Sequence, residues 1–263
     1  MNAARPVTGL AAAFGAACAM TASAAEARPA RVAVIVYDGV LTSDVTAPLE
    51  VFGAASKKSM LGDVSVTTIS IDADRDVITE EGLKLQADQS LTDGGDFEAV
   101  IVPSSYSMGP IVRNETLRGF VTRHTRQGAW IASNCSGARV LAAAGLLNGR
   151  NATTWAGGEA AFQRDYPAVR VQVDRNVVVD GRFITSNGGV VSYEAALTLL
   201  AAMTSPATAA EIAQDLQAPR MAGAEFPARA DPVSNAAFGV AGGLIGVLLA
   251  WAATALGRKK RKQ

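Results

Sequence analysis

Cys135 stands at the junction between a predicted buried strand and a predicted apolar helix, and no other feature constrains the fold so strongly. The strand covers Ala129–Asn134 and the helix Gly137–Leu147, with small residues around the cysteine. A tight strand-to-helix turn needs such residues when it pushes the side chain of a nucleophile out over the edge of a sheet. The N-terminus of the following helix favours a thiolate, so we expect Cys135 to have a lowered pKa and to be reactive. The alternative is a cysteine packed in the core, which we would expect in the middle of a strand.

On both sides of this junction, the chain alternates between predicted strands and helices. Arg31–Tyr37 and Phe97–Pro103 are continuous apolar runs, which are typical of strands buried on both faces. Residues 177–184 form a predicted hairpin with an Asp-Gly turn. Further strands are predicted at 64–71 and 77–85, and helices at 44–55, 115–126, 190–203 and 208–216. The alternation predicts an α/β fold, with a mainly parallel sheet and helices on both of its faces.

The two ends of the chain predict export and a membrane anchor. Residues 1–24 contain one Arg, no acid and an apolar run, and they end in an Ala-Ser-Ala cleavage pattern, so we read them as a signal peptide. Residues 236–256 carry no charge and are long enough to cross a bilayer, and the basic tail at 257–263 is expected to stay in the cytoplasm. We therefore predict a domain at 26–217 in the bacterial periplasm, a flexible stalk at 218–235 and a single-pass helix in the inner membrane.

Charge and residue counts exclude several classes of function. Between the predicted leader and the predicted tail, 18 basic residues stand against 24 acidic ones, and a net charge of −6 gives no electrostatic footprint for a nucleic acid. Once the leader is removed, Cys135 is the only cysteine, so the domain cannot form an internal disulfide. His124, the only histidine, is read as a solvated helix residue, which argues against a Cys-His-acid triad and against a zinc site. No Gly-rich phosphate loop follows a strand, so no cofactor and no metal are expected.

Two segments resemble the PfpI/ThiJ superfamily. Residues 134–147 (NCSGARVLAAAGLL) are similar to its elbow pattern C-[TS]-G-A-x-x-L-A-x-A-G-L-L. Residues 44–52 (DVTAPLEVF) are similar to the pattern D-[LV]-x-[GA]-P-x-[ED]-V-[FL] of one branch, which contains isonitrile hydratase and the ligand domains of AraC-type regulators. The similarity covers about residues 31–217. It implies a flavodoxin-like sandwich of the class I amidotransferase type, with Cys135 on a nucleophile elbow.

The resemblance also implies roles for individual residues. In isonitrile hydratases a cysteine attacks the isonitrile carbon and an aspartate acts as acid and base, and Cys135 and Asp44 fall at those positions. Ser136 replaces a threonine whose hydroxyl assists. Ser104 and Ser105 replace the glycines of a Pro-Gly-Gly segment whose N–H groups line the oxyanion site, and Trp155 replaces a histidine of the branch. We therefore predict these three residues around the pocket.

Asp44 and Glu50 also have simpler interpretations. Asp44 begins a stretch with a helical apolar period, so it is equally well explained as the N-cap of that helix. Glu50, six residues further on, is expected to be a surface or structural carboxylate rather than a second base.

Two hypotheses for the function remain open. The first is a cysteine-dependent hydratase or lyase, for which the resemblance implies hydration of an isonitrile to an N-substituted formamide. The second is a thiol sensor or small-ligand sensor of the same fold. A small molecule, as substrate or ligand, and the inner membrane are the expected partners, and a homodimer is left open. A DNA-binding regulator is disfavoured, because too few residues lie between the last family helix and the stalk for a helix-turn-helix pair.

Overall fold

The fold of residues 30–58 and 64–218 is described by a computed structural model. Its strands are β1 Ala30–Val36, β2 Val64–Ser70, β3 Asp76–Ile78, β4 Lys84–Gln86, β5 Gln89–Ser90, β6 Ala99–Val102, β7 Trp130–Asn134, β8 Asn151–Ala152, β9 Arg170–Val171, β10 Val177–Asp180 and β11 Phe183–Ser186. Its helices are α1 Thr42–Ser56, α2 Met108–Arg113, α3 Glu115–Arg126, α4 Ala138–Ala143, α5 Glu159–Asp165, α6 Val191–Met203 and α7 Pro206–Asp215. The predicted elements are therefore found, and α3 has the predicted limits.

The main sheet has seven strands in the order β10-β11-β7-β6-β1-β2-β5. Six of them run parallel, and only the edge strand β10 is antiparallel, because it is joined to β11 by the predicted hairpin. Helices α1, α6 and α7 pack together against the sheet, and α2, α3 and α4 form a second group. This arrangement confirms the predicted α/β fold with a mainly parallel sheet. It also brings the carboxyl ends of β1, β6, β7 and β11 to one edge.

The apolar runs are strands because they are covered from both sides. Val32–Val36 of β1 are fully buried, and the same holds for Val100 and Val102 of β6 and for Ile131 of β7. Each fully buried aliphatic side chain stabilises the fold by about 1.5–3 kcal/mol relative to an exposed one. The core therefore fixes these strands firmly and, with them, the edge where they end.

The helix that follows Cys135 is shorter than predicted. Residues 135–137 form a single 3₁₀ turn, and the α-helix that follows covers only Ala138–Ala143. Gly145 then takes a left-handed conformation at φ 72°, which ends the helix, so the apolar residues up to Leu147 continue outside it. The apolar pattern indicated burial correctly but did not show where the helix stops.

His124 lies in the core, so its prediction as a solvated residue was wrong. Its Nδ1 lies 2.8 Å from the carbonyl oxygen of Phe120, and its ring centroid lies 4.2 Å from that of Phe120 and 5.7 Å from that of Phe97. It continues the buried face of α3 that begins at Leu117, at helical spacing. Burial lowers the pKa of His124, which favours the neutral ring.

The predicted membrane topology concerns segments outside the described residues. In the ranges 30–58 and 64–218, no helix is both long and apolar enough to cross a bilayer. The predicted signal peptide at 1–24, nearly all of the stalk at 218–235, the apolar segment at 236–256 and the basic tail lie beyond those ranges. Export and anchoring therefore stay predictions.

Candidate active site

The backbone of Cys135 has the strained geometry of a nucleophile elbow. Its φ is 51°, a left-handed conformation that costs a non-glycine residue about 1–3 kcal/mol. Two glycines leave the space that the turn needs. A Cβ on Gly137 would lie 2.7 Å from the carbonyl oxygen of Pro103, and a Cβ on Gly188 would lie 2.5 Å from the Cβ of Cys135. The predicted strand–turn–helix junction is therefore present, and it packs closely against the ends of β6 and β11.

The thiol of Cys135 is partly buried and close to hydroxyl groups. Its Sγ lies 3.8 Å from the Oγ of Ser136, whose hydroxyl donates to the carbonyl oxygen of Ser105 at 3.4 Å. Burial raises the pKa of Cys135; the carboxyl group of Asp44 adds to the rise, and hydrogen bonds from Ser104 and Ser136 oppose it. The predicted lowering of the pKa was therefore wrong. The six-residue helix α4 begins only at Ala138, after the 3₁₀ turn, and desolvation is the largest influence on the thiol.

Asp44 is fully buried and accepts four hydrogen bonds from elements outside its own helix. Its Oδ2 accepts from the N–H of Ser104 at 3.1 Å and from the hydroxyl of Ser104 at 2.6 Å. Its Oδ1 accepts from the N–H of Gly189 at 3.0 Å and from the hydroxyl of Ser192 at 2.7 Å. The N-cap of α1 is Leu41, which offers no side-chain hydrogen bond, so the alternative role of Asp44 as an N-cap was wrong.

The side chains of Asp44 and Cys135 both lie beside Gly188. The Cβ position of Gly188 would lie 2.5 Å from the Cβ of Cys135 and 3.2 Å from the Oδ1 of Asp44, so both side chains border the same small space. Gly188 has φ 77°, a conformation that glycine adopts without strain. The structure thus brings together the two residues that the sequence assigned as nucleophile and acid.

The loop after β6 supplies Ser104 and Ser105. The N–H of Ser104 donates to Asp44 and is therefore not free to bind an oxyanion. Of the two serines predicted for the oxyanion site, Ser105 is the one whose N–H is left for this role. The buried residue Tyr37 directly follows β1, and its hydroxyl donates to the carbonyl oxygen of Pro103 at 2.7 Å, which ties the loop to the end of that strand. The loop is therefore fixed at Pro103, Ser104 and Ser105.

Trp155 lies on the loop after β8, which also touches the elbow. The preceding residue, Thr154, donates its hydroxyl to the carbonyl oxygen of Cys135 at 3.0 Å. Trp155 itself is 43% exposed, and its ring lies beside Gly157 and Gly158 of its own loop. Its loop is therefore part of the site, while a pocket role for the indole stays a prediction.

Several residues that shape the site were not selected from the sequence. Ser192 and Tyr37 carried no signal, because their roles depend on which elements the fold places beside Asp44 and Pro103. Gly188 and Gly189 lay within the segment similar to the superfamily, but a contact with Asp44 could not be read from it.

Glu50 behaves as predicted, since it accepts from the hydroxyl of Tyr193 at 2.6 Å on the surface and raises the pKa of that tyrosine to about 12.

Comparison with known proteins agrees with this geometry. The DJ-1/PfpI family pattern matches residues 30–202. Isonitrile hydratase of Pseudomonas putida is 29% identical over 171 residues, which cover 64% of this chain and 70% of that protein. An HTH-type transcriptional regulator of Pseudomonas aeruginosa is 37% identical over 89 residues, but these cover only 34% of this chain and 26% of the regulator.

A solved structure shows the same fold. A cysteine-to-alanine mutant of a DJ-1 superfamily protein from Salmonella typhimurium has a TM-score of 0.64 at 26% identity, and the match covers 72% of this chain and 98% of that one. The family match spans more than half of the chain, and the parallel sheet is shared with this neighbour. The chain therefore belongs to the DJ-1/PfpI family.

Proposed function

We propose that this protein is a cysteine-dependent hydratase that converts an isonitrile to an N-substituted formamide. The observation that carries the proposal is the shared space above Gly188, which is bordered by the side chains of Cys135 and Asp44. The similarity to isonitrile hydratase, over 64% of the chain, supports the same reaction class.

The proposed reaction uses Cys135 as nucleophile and Asp44 as acid and base. The sulfur of Cys135 forms a bond to the terminal carbon of the isonitrile, and the thiol proton is transferred to that carbon, which gives a thioimidate. Water then adds to the thioimidate carbon, the carbon–sulfur bond breaks, and the formamide leaves while the thiol is restored. We assign the transfer of this proton to Asp44, because its Oδ1 and the Cβ of Cys135 border the same space beside Gly188.

The substrate we propose carries a neutral apolar substituent, because exposed apolar side chains follow residues of the site loops. Tyr106, Trp155 and Val190 are 80%, 43% and 71% exposed, and each directly follows a residue of the site loops. An aryl or bulky alkyl group would find apolar contacts there. A charged substituent would lose solvation without gaining a partner from these three side chains.

The test is turnover by the purified full chain. The wild-type protein is expected to convert an aryl isonitrile to its formamide, and Cys135→Ala is expected to abolish the reaction. A matched control is Ser56→Ala, which removes a hydroxyl of similar size at the exposed end of α1 and is expected to retain the rate. Absence of turnover in the wild type on both aryl and alkyl isonitriles would refute the proposal.

A second candidate is a thiol or small-ligand sensor of the same fold. It is favoured by the similarity to an HTH-type regulator and by Trp155, which stands where the hydratase branch has a histidine. In that case a bound ligand would protect Cys135 from alkylation without being converted. Ligand protection together with zero turnover would decide for the sensor.

We further propose that the domain is exported and anchored in the bacterial inner membrane, with its C-terminus in the cytoplasm. The proposal is supported by the apolar segment at 236–256 and the basic residues that follow it. A reporter that works only in the cytoplasm is expected to be active when it is fused after Gln263. Activity of a reporter that works only in the periplasm would reverse the proposed topology.

A further inference from the structure

We propose that Thr154 is a positioning residue for the nucleophile, and that its hydroxyl holds the backbone of Cys135 in the left-handed conformation. The proposal deepens the proposed function and rests on its assignment of Cys135 as the reacting group. Thr154 lies in the loop after β8, next to Trp155, which stands where the hydratase branch has a histidine. The loop without this histidine therefore still acts on the nucleophile, through a threonine.

The first observation concerns the carbonyl group of Cys135, which has two hydrogen-bond donors. The N–H of Ala138 donates to its oxygen and closes the 3₁₀ turn. The hydroxyl of Thr154 donates to the same oxygen at 3.0 Å, from a residue 19 positions further along the chain. A carbonyl oxygen has two lone pairs, so these two donors satisfy it. Of the two bonds, the one from Thr154 ties the elbow to a distant segment.

The second observation is that the conformation of the elbow is strained. Cys135 has φ 51°, which a residue with a Cβ keeps only when its surroundings hold it there. A turn that relaxed towards an ordinary φ would move the carbonyl oxygen away from the hydroxyl of Thr154 and break this hydrogen bond. The bond therefore favours the strained conformation, which is the one that places the Cβ of Cys135 beside Gly188.

Thr154 can hold the elbow because it is itself held in place. Its side chain is fully buried, and a β-branched side chain has few accessible rotamers. Its carbonyl oxygen accepts a hydrogen bond from the Nδ2 of Asn187. The N–H of the preceding residue, Thr153, donates to the hydroxyl of Thr185 on β11 at 2.8 Å. The loop that carries the donor is thus anchored to β11 and to the residue that follows this strand.

The position of Cys135 matters most for the proton transfer that we assign to Asp44. The Cβ of Cys135 and the Oδ1 of Asp44 lie 2.5 Å and 3.2 Å from the same Cβ position at Gly188. A relaxed elbow would carry the sulfur, and an isonitrile carbon bonded to it, away from this carboxyl group. The hydrogen bond from Thr154 therefore acts on the chemical step rather than on the binding of the substrate.

The loop provides a matched control for Thr154. Thr153 is also fully buried, but its hydroxyl lies 3.4 Å from the carbonyl oxygen of Thr154 and 3.5 Å from the Nδ2 of Asn187, away from the elbow. Thr153→Val and Thr154→Val exchange the same atoms at neighbouring buried positions, and the second removes the bond to Cys135. Thr154→Ser keeps the hydroxyl, and Thr154→Ala serves as the second variant if Thr154→Val does not fold.

The experiment measures two properties of the purified full chain, the rate at which iodoacetamide alkylates the Cys135 peptide and the kcat and KM for an aryl isonitrile. Thr154→Val is expected to slow alkylation and to lower kcat by about threefold to tenfold, the worth of one hydrogen bond, with KM changed less than about twofold. Alkylation slows because a relaxed turn no longer presents the thiol at the edge of the sheet. Thr153→Val is expected to stay within about twofold of the wild type, and Thr154→Ser to recover most of both rates.

Wild-type alkylation in Thr154→Val would overturn the proposal, and so would equal slowing by Thr153→Val, because that would reduce Thr154 to a residue that stabilises its loop. A Thr154→Ser variant as slow as Thr154→Val would overturn it as well. Alkylation needs no isonitrile, so this result is independent of turnover. Slow alkylation of Thr154→Val in a protein that hydrates no isonitrile would reject the proposed reaction and keep Thr154 as the residue that positions the thiol.

Discussion

Replacing Gly188 with alanine tests how closely the elbow is packed. The new methyl group would lie 2.5 Å from the Cβ of Cys135, 3.1 Å from its backbone nitrogen and 3.2 Å from the Oδ1 of Asp44. The backbone atoms cannot move aside cheaply, and overpacking of this kind costs about 1–3 kcal/mol. The left-handed conformation at φ 77° adds about 1–2 kcal/mol for any residue with a Cβ.

Gly189 is the matched control for this substitution. Its φ is 61°, but a Cβ there would have no atom within 4 Å, so Gly189→Ala carries only the conformational cost. We expect Gly188→Ala to lower the free energy of unfolding by about 2–5 kcal/mol and Gly189→Ala by about 1–2 kcal/mol. The assay is urea unfolding, combined with the rate of Cys135 alkylation in the folded protein. Equal losses of stability in the two variants, with equal thiol reactivity, would refute the close packing above the elbow.

Three further predictions follow from Asp44, His124 and Tyr193. Asp44→Asn places an NH₂ group against donors that are now satisfied, so we expect the free energy of unfolding to fall by about 1–3 kcal/mol in urea titrations; a loss near zero would contradict the hydrogen bonds assigned to this carboxyl group. Burial lowers the pKa of His124 in the folded state, so stability should fall as the pH drops below the ordinary histidine value, and unfolding midpoints should show that His124→Phe removes this part of the pH dependence. Tyr193→Phe should abolish the tyrosine titration near pH 12 in ultraviolet absorbance while leaving Cys135 alkylation unchanged.

Much of the fold could be predicted from local patterns. The apolar run at Arg31–Tyr37 corresponds to β1, and the limits of α3 agree with its amphipathic period. The two-residue strands β5, β8 and β9 were not predicted, because two residues carry no periodicity. The short helices α2 and α5 were missed for a similar reason, since one or two turns give a weak pattern.

The site was predicted only in part. Its residue types follow from local sequence patterns, whereas its contacts depend on how distant segments pack together. Cys135 and Asp44 could be selected from the strand-to-helix junction and from the similarity to the superfamily. The hydrogen bond from Ser104 to Asp44 joins two residues that are 60 positions apart, and it forms because α1 approaches the end of β6. The raised pKa of Cys135 has the same origin, because burial by distant segments outweighs the local effect of the helix that follows.

The measurement that tests the central claim most directly is the mass of the intact protein after brief exposure to an aryl isonitrile. Wild-type protein is expected to carry a transient adduct equal in mass to one isonitrile on Cys135, and the formamide should appear as the adduct decays. Cys135→Ala should show neither the adduct nor the formamide, because it lacks the sulfur that bonds to the isonitrile carbon. Formamide production by Cys135→Ala at the wild-type rate, or a wild-type protein that forms neither adduct nor product, would contradict the assignment of Cys135 as the nucleophile.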